Sequence, residues 1–156
     1  MTSYTTKFLT FLTICSFSFS ALAAESITGL WTTIDDETQQ PKSVVCVYEH
    51  NGKIYGRIVK LFRNFDKKIV NSKDNVPILG ADIIWDMKKN DDAWESGKIL
   101  DPNKGKVYSC KMWIEGENLM VRGKIGPFGR NQTWKKNTDA SLKPAGSLTP
   151  KIVELQ

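Results

Sequence analysis

The feature that most constrains this chain is a series of short β-branched and aromatic segments, separated by turn sequences at regular spacing. No segment after Glu25 has the apolar period of an amphipathic helix. We predict eight β-strands, at Ile27–Thr33, Ser43–His50, Lys53–Leu61, Asp82–Met87, Ser96–Leu100, Lys106–Glu115, Leu119–Ile125 and Asn131–Lys136. Eight strands in hairpin order predict an all-β fold, an antiparallel up-and-down barrel, because closing a sheet removes its unpaired edges.

Residues 1–23 have the composition of a cleavable export signal. Lys7 is the only charged residue before Glu25, a mostly apolar run follows it, and Ala21-Leu22-Ala23 fits the small-residue rule for cleavage. We therefore expect cleavage near Ala23, and a location in the periplasm or outside the cell.

The rest of the chain divides into a barrel domain over residues 24–136 and a polar, proline-containing tail over residues 137–156. We expect this tail to be loosely ordered. No run after the signal is apolar for the ~18 residues that a membrane span needs, so no stable span is predicted.

The register of one hairpin follows from Asn51-Gly52, because this pair favours a type I′ turn with positive φ at both positions. Tyr48 then faces Tyr55 on the predicted outer surface. The predicted inner face carries Val45, Val47, Ile54 and Ile58.

Two cysteines follow the signal, Cys46 and Cys110. The hairpin registers place Cys46 on the outer face and Cys110 on the inner face, together with Met112 and Val121. Side chains on opposite faces of one wall do not reach bridging geometry, so a disulfide is not expected.

Several stretches of the chain are unusual enough to carry a resemblance. They are Gly29-Leu30-Trp31, Ile34-Asp35-Asp36-Glu37-Thr38, Pro41-Lys42-Ser43, Tyr48 through Asn51-Gly52-Lys53 to Tyr55-Gly56, Gly97-Lys98-Ile99-Leu100-Asp101-Pro102, Gly105-Lys106-Val107-Tyr108-Ser109-Cys110-Lys111 and Val121 to Trp134. In these stretches the chain resembles a family of small exported bacterial proteins that is defined as a domain of unknown function. The resemblance implies a calycin-like barrel, as in lipocalins and fatty-acid-binding proteins, and implies no activity.

Gly29-x-Trp31 also resembles the entry motif of lipocalins, in which a late basic residue packs over the tryptophan ring. We expect Trp31 to close one end of the barrel, with Arg130, or alternatively Arg122, as the cation. The polar residues of the matching stretches are further site candidates: Asp35, Asp36, Lys98, Asp101, Arg122, Arg130 and Gln132.

Catalytic chemistry finds little support in the sequence. The single histidine, His50, adjoins a predicted turn, and Asp35-Asp36-Glu37 has the composition of a solvated loop. No metal-ligand spacing or phosphate-binding loop is present. We predict no catalytic residue, metal or cofactor. The lysines are spread along the chain, so no nucleic-acid groove is predicted either.

Ligand binding is the favoured class of function, because an eight-stranded barrel either fills with side chains or holds one small ligand. The predicted partner is a small apolar or amphipathic molecule, and the sequence leaves the oligomeric state open. Residues 62–79 are long enough to form a lid. The predicted lumen or mouth residues are Val45, Val47, Ile54, Ile58, Tyr108, Met112, Val121 and Phe128.

Two alternatives stay open at this point. One is an envelope structural or protein-interaction module with a filled barrel and exposed Tyr48, Tyr55 and Phe128. The other is an enzyme whose polar groups, such as Asp101, Tyr108 and Arg130, converge in one cleft.

Overall fold

A computed structural model describes residues 26–156 and shows a closed antiparallel barrel in which each strand pairs with the next along the chain. The strands are β1 (Gly29–Ile34), β2 (Pro41–His50), β3 (Lys53–Leu61), β4 (Asp82–Asn90), β5 (Ala93–Asp101), β6 (Lys106–Glu115), β7 (Asn118–Ile125) and β8 (Phe128–Asn137). β1 closes the barrel on β8, with Trp31 opposite Lys136. The predicted fold class is confirmed, whereas the predicted export signal lies outside the described residues.

The two hairpins β4–β5 and β7–β8 are longer than the sequence pattern indicates. β4 continues to Asn90 and pairs there with Ala93, and β8 begins at Phe128, opposite Ile125. Backbone pairing continues past the last buried side chains, because the ladder needs only N–H and C=O groups. In the described part of the chain, no helix is long and apolar enough to cross a membrane.

The predicted register of the β2–β3 hairpin is confirmed. Asn51 and Gly52 both have positive φ, 50° and 74°. Val47 pairs with Gly56, Val45 with Ile58. The inner-face residues Val45, Val47, Ile54 and Ile58 are all buried in the main core.

One end of the barrel is filled by side chains. Trp31 lies there and donates its indole N–H to the carbonyl oxygen of Ile27 at 2.9 Å, and both residues are buried. Other large buried side chains at this end are Val45, Val47, Ile54, Met87, Met112 and Leu119. At the opposite end, where β1 ends and β2 begins, the inward-facing side chains are smaller, for example those of Thr33 and Ser43.

Residues 137–156 pack along the outside of the barrel instead of hanging freely. Leu142 and Leu148 cover an outer apolar cluster of Leu30, Val44 and Cys46. Further along, Ile152 forms a parallel bridge with Asp82. The tail was expected to be loosely ordered, but in the structure it covers part of the outer wall. The reason is that some outward-facing strand residues, Leu30, Val44 and Cys46, are apolar and are stabilised by burial.

The structure corrects one expectation about the outer surface of the barrel. Tyr48 and Tyr55 do lie on the outer face, with their rings stacked at 5.7 Å. Their predicted exposure is wrong, however, since both are buried. Tyr48 donates its hydroxyl to Asp82, and Tyr55 donates its own to Asp86.

The tail is fastened to the wall by a buried ion pair. Asp82 is fully buried, and its carboxylate accepts two hydrogen bonds from Arg57, at 3.1 and 2.7 Å. The same carboxylate accepts the backbone N–H of Lys151 at 2.6 Å, while Arg57 donates to the carbonyl oxygen of Thr149 at 2.7 Å. Both partners of the pair thus hold the tail as well as each other.

We predict that Asp82→Asn destabilises the protein by about 3 kcal/mol, the lower end of the range for a broken buried pair, since Arg57 keeps some contact with water. The free energy of unfolding in urea measures this loss. The matched control is Glu154→Gln, which removes the exposed pair with Lys73. It should change stability by less than about 1 kcal/mol. Equal losses in both variants would contradict the assigned role of the buried pair.

The wall also depends on one glycine. A Cβ at Gly97 would overlap the sulfur of Met87 and the backbone of Trp85. At Gly123 the nearest atoms to an added Cβ, on Ile99 and Tyr108, lie at 3.6 Å. We predict that Gly97→Ala costs about 1–3 kcal/mol through overpacking. Gly123→Ala should be close to neutral, because its Cβ makes ordinary contacts. Urea unfolding of both variants checks this difference, and equal costs would refute it.

Candidate functional site

A cavity of about 600 Å³ opens at the end of the barrel that side chains do not fill. Its lining of apolar, aromatic and glycine residues consists of Ile34, Ile58, Leu61, Ile78, Ile83, Ile99, Leu100, Pro102, Tyr108, Val121, Gly123 and Trp134. Its polar lining consists of Thr33, Asp35, Glu37, Thr38, Lys42, Ser43, Arg63, Asn64, Lys67, Asp101, Asn103, Lys104, Arg130 and Gln132. The charged residues come from strand ends and turns, so the cavity combines an apolar interior with a charged rim.

Two buried hydroxyl groups interrupt the apolar wall. Thr33 Oγ1 and Ser43 Oγ lie 2.8 Å apart, and the backbone N–H of Ser43 donates to Thr33 Oγ1 at 3.1 Å. These contacts satisfy the hydroxyls within the wall. Threonine and serine are short, and their place on the inner face leaves space that longer side chains would occupy.

A polar chain links the wall of the cavity to its rim. Trp134 donates its indole N–H to Gln132 at 3.2 Å, and Gln132 donates to the carboxylate of Asp36 at 3.3 Å. Arg130 also reaches this carboxylate, at 2.6 Å. β8 places Arg130, Gln132 and Trp134 on one face because side chains alternate along a strand.

The other carboxylates of the rim are largely held within their own turns. Asp35 accepts the backbone N–H of Thr38 at 2.9 Å and that of Glu37 at 3.2 Å. The bonds from Thr38 lower the pKa of Asp35, with a minor contribution from the charge of Lys42. Asp101 accepts the backbone N–H of Asn103 at 3.0 Å. Asp35 therefore stays ionised at neutral pH and is poorly suited to exchange protons there.

The segment over residues 62–79, for which the sequence predicted a lid, lines part of the mouth of the cavity. Arg63, Asn64, Lys67 and Ile78 line the cavity. The segment is anchored by an isolated bridge between Lys68 and Pro77 and by buried Ile69 and Ile78. It thus borders the opening as an ordered wall.

The predicted lumen residues lie at different depths. Ile58, Tyr108 and Val121 line the cavity. Phe128 is 80% exposed at the tip of the β7–β8 hairpin, outside the lining. The remaining four, Val45, Val47, Ile54 and Met112, are buried in the filled end.

Some of the predicted polar site residues line the cavity and others do not. Asp35, Asp101, Arg130 and Gln132 line the cavity, and Asp36 joins them through Arg130 and Gln132. Lys98 is exposed and does not belong to the lining. Arg122 lies on the outer face over Gly129, where an added Cβ would come within 2.6 Å of its Nε.

The predicted contact between Trp31 and Arg130 is not formed. Trp31 lies at the filled end against Ile27, whereas Arg130 pairs with Asp36 at the open end. Trp31 pairs with Lys136, six positions further along β8 than Arg130. The alternative cation Arg122 faces outward. The ring of Trp31 is instead buried at its own end of the barrel, where the indole N–H donates to the carbonyl oxygen of Ile27.

Sequence reasoning missed several residues of the site. Thr33, Ser43 and Trp134 line the cavity from inner-face positions, and alternation from the neighbouring inner residues could have located them. Lys42, Arg63 and Lys67 could not be located in this way, because they lie at strand ends and in an irregular segment.

Residues 29–136 match the sequence profile of a family described as "Uncharacterized protein conserved in bacteria (DUF2147)". The chain belongs to this family. No curated protein matches the sequence.

A solved structure shows a similar fold. It is described as "Protein HP1028 from the human pathogen Helicobacter pylori belongs to the lipocalin family". The two chains are 23% identical and superpose with a TM-score of 0.65, covering 75% of this chain and 86% of the other. This member of the DUF2147 family thus has a barrel similar in fold to that solved structure.

The two cysteine thiols of this DUF2147 protein are buried and poorly suited to act as nucleophiles. Both Cys46 and Cys110 are free and buried, Cys46 in the outer apolar cluster and Cys110 in the main core. Burial raises the pKa of the Cys110 thiol to about 12 and also raises the pKa of the Cys46 thiol. Across residues 26–156, no group of His, Cys, Asp and Glu is arranged to hold a metal ion.

We predict that iodoacetamide at pH 8 labels neither thiol in the folded protein, because the reactive thiolate is scarce at a raised pKa and both sulfurs are buried. In the unfolded chain the thiols titrate near their ordinary pKa and should react readily. Mass spectrometry with and without urea measures the labelling. Rapid labelling of the folded protein would contradict this account of the buried thiols.

Proposed function

We propose that this DUF2147 protein is an exported, non-enzymatic binding protein that holds a small apolar or amphipathic molecule in the open end of its barrel. The observation that carries this proposal is the cavity of about 600 Å³ with an apolar interior and a charged rim. Cavities of roughly 300–1,000 Å³ are typical of small-molecule sites.

The energetics favour an apolar ligand. The inner wall offers branched aliphatic side chains and the buried ring of Trp134, from which a ligand would displace water. Buried hydroxyls at Thr33 and Ser43 already bond to each other and place no further demand on the ligand. The solved lipocalin-family structure supports the same class of function through its fold.

The two alternatives have less support. A module with a filled barrel would need exposed Tyr48, Tyr55 and Phe128 and an interior without an open cavity. Phe128 is exposed, but Tyr48 and Tyr55 are buried and the barrel has an open cavity. An enzyme would need its polar groups to converge in one cleft and to be poised for proton transfer. Asp35, Asp101, Tyr108 and Arg130 do line the cavity, but Asp36 is paired with Arg130 and Asp35 is held by its own turn.

The test is native mass spectrometry of protein purified from an exported fraction without detergent. A discrete adduct, lost on denaturation and identified after organic extraction, is the expected result. The mass of the polypeptide should correspond to a chain that begins near Ala24, since the predicted export signal ends at Ala23.

We predict that Gly123→Leu lowers the affinity for the apolar probe N-phenylnaphthylamine at least about tenfold. The new side chain would project into the cavity beside Ile99 and Tyr108. Titration of probe fluorescence measures the affinity. The matched control is Ser109→Leu, which adds the same side chain at an exposed position of the adjacent strand β6.

Binding that is equally strong in both variants would contradict a site inside the barrel. Binding that is lost in both would indicate damage to the wall, and circular dichroism of the two variants distinguishes that result.

A further inference from the structure

The rim of the cavity carries three cationic side chains that form no ion pair within the described residues. Lys42, Arg63 and Lys67 line the opening and are exposed to solvent. Within residues 26–156, none of the three forms an ion pair. The two other cations of the rim are engaged, Arg130 with Asp36 at 2.6 Å and Lys104 with Asp101 at 3.9 Å.

The backbone holds the three free cations on one side of the mouth. Lys42 and Arg63 belong to neighbouring chain segments, because the carbonyl oxygen of Lys42 accepts the backbone N–H of Phe62 at 3.1 Å. Lys67 follows one turn later and donates its backbone N–H to Asn64 at 3.1 Å. This placement concentrates positive charge where β2 begins and β3 ends.

The carboxylates of the rim balance this group only in part. Asp35 and Asp101 accept hydrogen bonds from their own turns, and Asp36 accepts Arg130 and Gln132. Glu37 is the remaining carboxylate of the lining. Among the groups of the lining that form no ion pair, the three cations Lys42, Arg63 and Lys67 therefore exceed the carboxylates of Asp35 and Glu37 by one positive charge.

We propose that the cavity selects amphiphiles with a single acidic headgroup, a carboxylate or a phosphate, and that Lys42, Arg63 and Lys67 bind this headgroup at the mouth. The apolar part of the ligand then lies against Ile58, Ile83 and Trp134. The inference rests on the proposed function, because it presumes that the apolar interior is the binding site. Charged hydrogen bonds of this kind are stronger than neutral ones and weaken as salt screens them.

The experiment compares three probes with the same alkyl chain: decanoate, decanol and decylamine. Isothermal titration calorimetry of the full mature protein at low salt measures each affinity. We expect decanoate to bind at least about tenfold more tightly than decanol, and decylamine to bind more weakly than decanol. Raising the salt concentration should reduce the preference for decanoate.

Two triple variants show where the preference comes from. K42Q/R63Q/K67Q removes the rim cations, and we expect it to bind decanol as the unmodified protein does while losing the preference for decanoate. K88Q/K135Q/K136Q removes the same number of charges from exposed positions outside the lining. This control should keep the preference, since net charge alone does not create it.

The outcomes separate the two proposals. Equal affinity for decanoate and decanol, or a preference that survives in K42Q/R63Q/K67Q, overturns the headgroup site and leaves the apolar cavity standing. A preference lost in both triple variants overturns it too, because it assigns the effect to overall charge. Failure of all three probes to bind the folded protein overturns the proposed function itself.

Discussion

The interior of an eight-stranded barrel is only wide enough for one layer of side chains from each strand, and the remaining features of this structure depend on that width. Where the inner positions carry large residues such as Trp31, Met87 and Met112, they fill the space completely. Where the inner positions carry Thr33, Ser43 and Gly123, the same width leaves a cavity. The change in side-chain size along the strands therefore places the open end, without any change in backbone architecture.

Alternation along the strands made much of this barrel predictable. The Asn51-Gly52 turn set the β2–β3 register, and the inner and outer faces followed from it. Depth within the barrel was not predictable, since alternation tells which face a residue is on and not how far along the axis it lies. Val45 and Ile58 pair directly, yet only Ile58 reaches the cavity. The predicted contact between Trp31 and Arg130 was wrong for the same reason, because both residues face inward but lie at opposite ends of the barrel.

Contacts between distant parts of the chain account for most of what the sequence did not show. Asp82 meets Arg57 across 25 positions, and Gln132 meets Asp36 across 96. No local pattern marks such pairs, because each residue alone has the composition of a polar surface position. The tail likewise follows the outer wall through its backbone groups, as the bonds to Thr149 and Lys151 show, and backbone bonding carries little sequence signature.

The order of the strands has a consequence for how the chain folds. Seven of the eight strand pairings are between neighbours in sequence and can form as local hairpins, whereas β1 and β8 must meet across the whole domain. Closing that long loop costs conformational entropy before the pairing returns any free energy, so we expect it to come last. Until Leu30 pairs with Asn137, the unclosed sheet presents two free edges, and this intermediate is the species most exposed to pairing with other chains.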